Sequence, residues 1–173
     1  PPLPSNGIRF TSDDLDEVCE FVARSSGHHS RVVRGTGPFG FEQTWLAGVS
    51  MMAGWIRTGL ATTVRGSVRQ PVLHFVLTGG TEYRFGRRRH APAPGATMFI
   101  PPAWEYTTAR LPGASFALAL DQGRLVEEIE ARDPSGRGTP VLRARHIAPG
   151  RLFHSGLMAA LAAYLQAAWR TSG

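Results

Sequence analysis

Residues 72–85, VLHFVLTGGTEYRF, and residues 95–106, GATMFIPPAWEY, are the stretches from which the fold of this chain is predicted. The first is an apolar run that ends at Gly79-Gly80 and continues into an alternating run, a pattern typical of a β-hairpin. The second is a short apolar run that starts after Gly95 and ends at Pro101-Pro102, because proline cannot donate to a strand ladder. We therefore predict that this part of the chain is built of β-strands.

The predicted hairpin pairs His74 with Phe85 and Val76 with Tyr83. Side chains alternate along a strand, so one face of the hairpin is expected to carry Val72, His74, Val76, Tyr83 and Phe85. The opposite face of the first strand is apolar as well. We therefore expect this strand to be central and covered on both sides.

Composition indicates one β-rich globular domain. The chain has 173 residues, 42% hydrophobic and 18% charged, with 20 glycines and 13 prolines for many turns. No apolar run approaches the roughly 18 residues of a membrane-spanning helix, and the start Pro-Pro-Leu-Pro is unlike a signal peptide. Cys19 is the only cysteine and can form no intrachain disulfide, so we expect a cytoplasmic protein without membrane association.

The charge of the chain is strongly positive. All 19 basic residues are arginines, and the formal net charge is +6. This excess suggests an acidic partner, either nucleic acid or an anionic ligand. The arginines are scattered apart from Arg84 and Arg87–Arg89, which we expect to form a solvated loop.

A helix is predicted before the strands, from Phe10 to Gly27. Thr11 and Asp14 form its capping box, and its apolar stripe includes Cys19 as a buried structural thiol. His28-His29 follow in a turn and are expected to be loop residues. Further strands are predicted at Arg31–Arg34, Gly40–Trp45, Val49–Ile56, Ala61–Val68 and Ser115–Leu120. The total is about eight strands, enough to close a small barrel around one ligand.

The C-terminal part is predicted to be mainly helical. Asp121 caps a helix at Gln122–Arg132, an extended piece follows at Val141–Ile147, and a final helix runs from Gly150 to about Thr171. The apolar stripe of the final helix consists of Phe153, Leu157, Leu161, Tyr164, Leu165 and Ala168. This stripe is broader than one barrel wall requires, so we expect it to form a homodimer.

Motifs for catalysis are missing from the sequence. None of the six histidines forms a His-x-His pair, and there is no Cys-x-x-Cys or Gly-x-Ser-x-Gly motif. A phosphate-binding loop with lysine is excluded because the chain has no lysine. We predict no catalytic residue, no metal site and no cofactor, and we do not expect an enzyme.

Ligand binding fits the predicted barrel better than catalysis does. Large aromatic and polar side chains fall on strands or beside them, and an aromatic-walled cavity with a few polar groups suits a small molecule. Met-rich and Trp-rich walls also adapt to ligands. The predicted ligand-binding residues are Trp45, Met51, His74, Tyr83, Phe85, Trp104 and Tyr106.

The spacing Gly95-x5-Pro101-x-Ala103-x2-Tyr106 resembles the second sequence signature of the cupin barrels. In that signature glycine is usual where Ala103 stands, and a metal-binding histidine is usual where Tyr106 stands. The first cupin signature would place its metal ligands among residues 65–68 and 72–73, and no side chain there can hold a metal. The resemblance implies a cupin barrel without its metal site.

Residues 8–170 as a whole resemble the N-terminal regulatory domain of AraC-family transcription factors. The resembling features are the opening helix, the strand ending VLTGG, the segment APGATMFIPP and the two closing helices. The resemblance implies an α+β, mainly β fold: a cupin-like double-stranded β-helix (jelly-roll) barrel with an N-terminal helix at residues 1–120 and a C-terminal helical dimerisation region at residues 121–173. It implies a small-molecule effector, a homodimer, and DNA binding through a separate helix-turn-helix domain absent from this chain.

Two other interpretations stay open at this point. One is a standalone cupin enzyme, such as an isomerase or a dioxygenase. The other is a dimerisation module whose barrel is filled by its own side chains.

Overall fold

A computed structural model describes residues 8–35, 40–47, 51–58, 60–132 and 145–147. Within these ranges the chain forms twelve strands and two helices. In chain order they are β1 (Ile8–Ser12), α1 (Leu15–Ser25), β2 (His29–Arg34), β3 (Phe41–Ala47), β4 (Met51–Thr58), β5 (Ala61–Gly66), β6 (Val72–Val76), β7 (Thr81–Phe85), β8 (Arg88–His90), β9 (Thr97–Ile100), β10 (Tyr106–Arg110), β11 (Gly113–Leu120), α2 (Gln122–Arg132) and β12 (Arg145–Ile147).

The strands form two antiparallel sheets. The larger has the order β1-β3-β4-β11-β6-β9-β12, and the smaller has the order β2-β5-β10-β7-β8. Buried residues from both sheets form one core between them, with Met98 and Val72 contributed by the larger sheet and Val64 and Tyr83 by the smaller. This mainly β architecture fits the predicted cupin-like fold.

Strand β6 is central, as its two apolar faces predict. It lies between β11 and β9, and Val72 and Val76 are buried on its inner face. On its outer face Phe75 stacks on Phe116 with ring centroids 5.2 Å apart. Leu73, Leu77, Leu118 and Leu120 complete that outer cluster. The prediction that both faces of this strand are covered is confirmed.

The predicted hairpin between residues 72 and 85 is wrong. Strand β6 pairs with β11 and β9, whereas β7 pairs with β10 and β8 in the other sheet. Gly79 and Gly80 therefore lie where the chain crosses from the seven-stranded sheet to the five-stranded sheet. Gly79 has a φ of 75° and packs so tightly that an added Cβ would collide with the carbonyl oxygen of Pro112. The predicted common face does hold, because His74 and Tyr83 both point into the core.

The N-terminal helix begins later than predicted. Phe10 lies on β1, where its ring stacks on Phe21 at 4.1 Å between centroids. The N-cap is Asp14 alone, whose carboxylate accepts from the backbone N–H groups of Asp16 (2.8 Å) and Glu17 (3.0 Å). The predicted capping box with Thr11 is therefore wrong, because that residue belongs to the strand.

Several strands differ from the predicted set. Strands β1, β8 and β10 were not predicted, and Arg88–His90, expected in a loop, forms β8. Strand β11 and helix α2 agree with the prediction, and the Asp121 carboxylate accepts from the backbone N–H of Arg124 at 2.9 Å. Strand β12 confirms part of the extended piece predicted at residues 141–147.

The final helix and its predicted dimerisation residues lie outside the described residues. The two helices of the described part have 11 residues each, and neither is long and apolar enough to cross a bilayer.

The turn before β10 has the backbone of a glycine. Ala103 has a φ of 60°, in the left-handed region that L-residues adopt at a cost of about 1–2 kcal/mol. Its N–H donates to the carbonyl of Val68 at 2.9 Å, which holds this turn against the connection between β5 and β6. The turn thus has a backbone conformation that favours glycine, although alanine occupies the position.

The close approach of Gly79 to Pro112 can be tested with a matched pair of substitutions. We expect Gly79→Ala to lower the free energy of unfolding by about 3 kcal/mol, because it adds a backbone collision to the strain of a positive φ. Gly86 has a φ of 58° but no atom within 4 Å of an added Cβ, so Gly86→Ala should cost only about 1 kcal/mol. Urea unfolding measures both. Equal losses in the two variants would contradict the tight crossing.

Candidate functional site

The inner face of the five-stranded sheet is polar. Side chains alternate along each strand, so residues two apart share a face. Register places Thr62 beside Arg110, and it places Val64 beside both Thr108 and Arg31. The polar side chains that this alternation brings to the interior are His29, Arg31, Thr62, Tyr83, Thr108 and Arg110.

A hydrogen bond joins the two sheets across this interior. The hydroxyl of Tyr83 lies 2.6 Å from Nδ1 of His74, and the two rings meet edge to face at 5.7 Å. Burial lowers the pKa of His74 well below its usual value and raises the pKa of Tyr83, so both side chains are neutral at pH 7. Nε2 of His74 is buried and has no hydrogen-bond partner in the described part of the chain.

Arg31 is buried between the sheets with only 6% of its surface exposed. Its Cζ lies 4.6 Å from the ring centroid of Phe41, a cation–π contact. Its Nη2 lies 3.4 Å from Nε2 of His29. Nε and Nη1 of Arg31 have no partner among the described residues. Burial, together with the charge of Arg110, lowers the pKa of Arg31 to about 9, so the guanidinium still carries its charge at pH 7.

His29 accepts from this guanidinium, since an arginine side chain can only donate. Burial is the main cause that lowers the pKa of His29 to about 3, followed by the positive charges of Arg31 and Arg110. His29 is therefore neutral at pH 7. It was predicted in a loop, but it is the first residue of β2 and half-buried.

Arg110 lies at the end of β10, close to the groups just described. Its positive charge acts on the pKa of every one of them: His29, Arg31, His74, Tyr83 and Tyr106. Its Nε is buried without a partner in the described part of the chain. The hydroxyls of Thr62 and Thr108, on the same face, are buried without partners as well. Arg110 is therefore the centre of the polar interior.

No described carboxylate balances the buried Arg31 or the partly buried Arg110. Every aspartate and glutamate whose side chain is described is exposed, except Glu82. The Glu82 carboxylate accepts from Arg84 at 2.8 Å and from Arg89 at 2.9 Å. Those two arginines hold the pKa of Glu82 below its usual value, so its charge is already engaged.

A cleft of about 390 Å³ opens at the end of the five-stranded sheet. The strand ends at Thr62, Thr81 and Arg110 form one side, and the loop of residues 91–94 forms another. Arg110 also lines a small pocket beside Ser115 on the neighbouring sheet. Arg110 thus lines both this cleft and the small pocket.

The structure brings together part of the predicted ligand-binding set. The rings of Tyr83, Phe85 and Tyr106 pack with centroids 6.0–6.1 Å apart, next to His74. Trp104 is 37% exposed and touches only the edge of this cluster, 6.4 Å from Phe85. Trp45 and Met51 are on β3 and β4, and their side chains lie outside the described residues.

Four polar residues of this interior were not among the predicted site residues: Arg31, Arg110, Thr62 and Thr108. Strand alternation starting from Tyr106, which was expected to face inward, would have placed Thr108 and Arg110 on the same inner face. That signal was lost because no strand was predicted over residues 106–110. Among the described residues, no group of three or more histidine, cysteine, aspartate or glutamate side chains is placed to hold a metal ion.

Comparisons with known proteins show similarity of fold. No family model matches the chain, and no curated protein matches its sequence. Among solved structures, the chain is similar to the AraC-like transcriptional activator CuxR, with a TM-score of 0.60 and 15% identity over 76% of this chain and 53% of that chain. This chain therefore spans about half the length of that activator.

Two further similarities have lower TM-scores. One is to an RmlC-like cupin from Shewanella frigidimarina, at 0.42 and 16% identity over 56% of this chain and 90% of that chain. The other is to oxalate decarboxylase from Bacillus subtilis, at 0.39 and 14% identity over 70% of this chain and 43% of that chain.

The buried neutral histidines predict a specific pH dependence of stability. Their pKa is lowered in the folded protein, so only the unfolded chain takes up protons as the pH falls below about 6.5. Stability is therefore present above pH 6.5 and lost on acidification. Between pH 7 and pH 5 the protein loses part of its free energy of unfolding, and we expect His74→Gln to make this loss smaller by roughly 1–2 kcal/mol.

The matched control is His28→Gln, at an exposed position. Urea unfolding at pH 7 and at pH 5 measures how much free energy of unfolding each variant loses on acidification. A His74→Gln variant with the same loss as the His28→Gln control would show that His74 is not buried in its neutral form.

Proposed function

We propose that this chain is the effector-sensing domain of an AraC-type transcription regulator and binds a small molecule in a metal-free cupin-like interior. The observation that carries this proposal is the fold similarity to an AraC-like activator over 76% of the chain. The polar interior supports it, because several buried donors there have no partner in the described part of the chain. A ligand inside the fold would satisfy them.

The interior favours recognition over catalysis. At pH 7 the histidines are neutral and Tyr83 keeps its proton, whereas general acid–base catalysis needs a pKa near the working pH. The available groups are hydrogen-bond donors of Arg, Thr and His side chains. Donors of this kind orient a ligand rather than exchange protons with it. We therefore propose a cytoplasmic binding domain and not an enzyme.

In this proposal the two parts of the chain have different roles. Residues 1–120 hold the effector, and residues 121–173 pair with a second copy. DNA is bound by a separate helix-turn-helix domain encoded beyond Gly173. The effector then acts by changing the relative positions of the two helix-turn-helix domains that the paired sensing domains carry.

The gene sequence beyond the codon for Gly173 tests the regulator proposal directly. We expect the reading frame to continue for roughly 100 residues with two helix-turn-helix patterns. Metal analysis of the purified chain is the companion measurement. A stop codon at that position, or stoichiometric iron, manganese or nickel in the protein, would favour the standalone cupin enzyme instead.

Dimerisation is tested by sedimentation velocity on the same chain. We expect a dimer for the natural sequence and a monomer for the double variant Leu157→Glu/Leu161→Glu, because charges on an apolar interface prevent its burial. Leu111→Glu is the matched control, at a position that is 62% exposed in the described part of the chain. A monomer for the natural sequence, or a dimer for the double variant, would remove the dimerisation proposal.

A further inference from the structure

Two arginines point into the interior of this fold without an acidic partner among the described residues. Burying a guanidinium costs several kcal/mol unless an opposite charge or hydrogen bonds compensate. The cation–π contact with Phe41 covers one face of Arg31 but leaves Nε and Nη1 unbound. The interior therefore has donors and positive charge that no described side chain satisfies.

We propose that this site binds a small organic anion, with a carboxylate held between Arg31 and Arg110. This inference rests on the proposed function, since it gives the chemical class of the effector. A carboxylate has two oxygens that accept parallel hydrogen bonds from a guanidinium, which makes arginine the preferred partner for it.

Arg31 and Arg110 lie on the same face of the five-stranded sheet, near enough for the charge of Arg110 to lower the pKa of Arg31. Arg31 is on β2 and Arg110 is on β10, and both strands pair with β5 between them. The charges of both act on the pKa of His29 and of Tyr106. Two positive groups that share the same neighbours repel each other, and an anion between them turns this repulsion into attraction.

The neighbouring groups add donors to the same place. Register sets Thr62 beside Arg110. It also places Thr108 and Arg31 on opposite sides of Val64, with β5 between their strands. The hydroxyls of both threonines are buried without partners in the described part of the chain. Carboxylate oxygens accept from hydroxyl and guanidinium donors alike, so all four residues can serve one bound anion.

A cleft open to solvent meets the proposed site on its Arg110 side. The cleft at the end of the five-stranded sheet is lined by Arg110 and Thr62. Glu82 lines the cleft too, but its carboxylate is engaged by Arg84 and Arg89. The electrostatic balance of the cleft therefore favours an entering anion.

The rest of the ligand is expected to be apolar. Tyr83, Phe85 and Tyr106 pack beside the polar groups and form the aromatic part of the same interior. The cleft of about 390 Å³, in the range typical of small-molecule sites, is lined by Arg110 and Thr62 and not by these three rings. A carboxylate on a compact aromatic or aliphatic body is therefore the ligand class that we propose for the site.

The first test needs only the natural sequence and compares matched ligands by calorimetry. Benzoate and octanoate are the carboxylate probes, benzamide and octanamide are their neutral counterparts, and inorganic phosphate is a small anion without an apolar body. We expect at least one carboxylate to bind at least tenfold tighter than its amide and tighter than phosphate. Equal affinity for acid and amide, binding of phosphate alone, or no binding of any carboxylate would overturn the proposal.

The second test assigns the binding to the two arginines. We expect Arg31→Gln and Arg110→Gln each to weaken carboxylate binding by about 10- to 100-fold, the usual loss when a charged hydrogen bond is removed. Arg110→Lys should keep part of the affinity, because it keeps the charge but loses the bidentate geometry. Arg65→Gln is the control, since Arg65 is exposed and paired with Glu105 at 3.4 Å.

Circular dichroism and the urea midpoint of each variant separate loss of binding from loss of fold. If a glutamine variant does not fold, the lysine variant and the comparison of acid with amide still decide the question. Unchanged carboxylate affinity in folded variants of both arginines would overturn the assignment. The reading frame beyond Gly173 is independent of these results, so the anion site and the regulator function can fail separately.

Discussion

The hydrogen bond between Tyr83 and His74, 2.6 Å long, is the contact on which the interior of this fold depends. It connects the two sheets, because His74 is on β6 and Tyr83 is on β7, and these strands belong to different sheets. In a region from which water is excluded, such a bond is strong, and leaving either partner unpaired is costly. It therefore holds a polar pair between the two sheets, and the nearby polar side chains share that environment.

A polar interior lowers the stability of a small domain, so its presence calls for a physical reason. If hydrophobic residues replaced Arg31, Thr62 and Thr108, they would leave no unpaired donors in the interior and would stabilise the fold. Binding sites are the places where proteins keep such locally unfavourable groups, because a ligand supplies the missing partners. In the proposed anion site the hydrogen bond between the sheets holds the geometry, and the unpaired donors beside it are the groups that would contact the ligand.

Local patterns in the sequence predicted the elements better than their pairing. The apolar run of β11, the Asp121 cap of α2 and the two apolar faces of β6 depend on neighbouring residues, and all three agree with the structure. The hairpin failed because Gly79-Gly80 has the same sequence signal whether the chain turns back or crosses to another sheet. Contacts distant in sequence, such as that of Gly79 with Pro112 and the pairing of β6 with β11, distinguish the two.

The candidate site was only partly predictable for the same reason. Arg31 and Arg110 belong to strands that are far apart in the chain, and their proximity follows from the order β2-β5-β10. Alternation does place Arg110 on the face of Tyr106, at the opposite end of one short strand, roughly 13 Å away. In the cupin signature the position of Tyr106 carries a metal ligand, whereas here this side chain joins an aromatic cluster. The left-handed turn at Ala103 leads into β10, and the proposed anion site uses the last residue of that strand, Arg110, rather than its first.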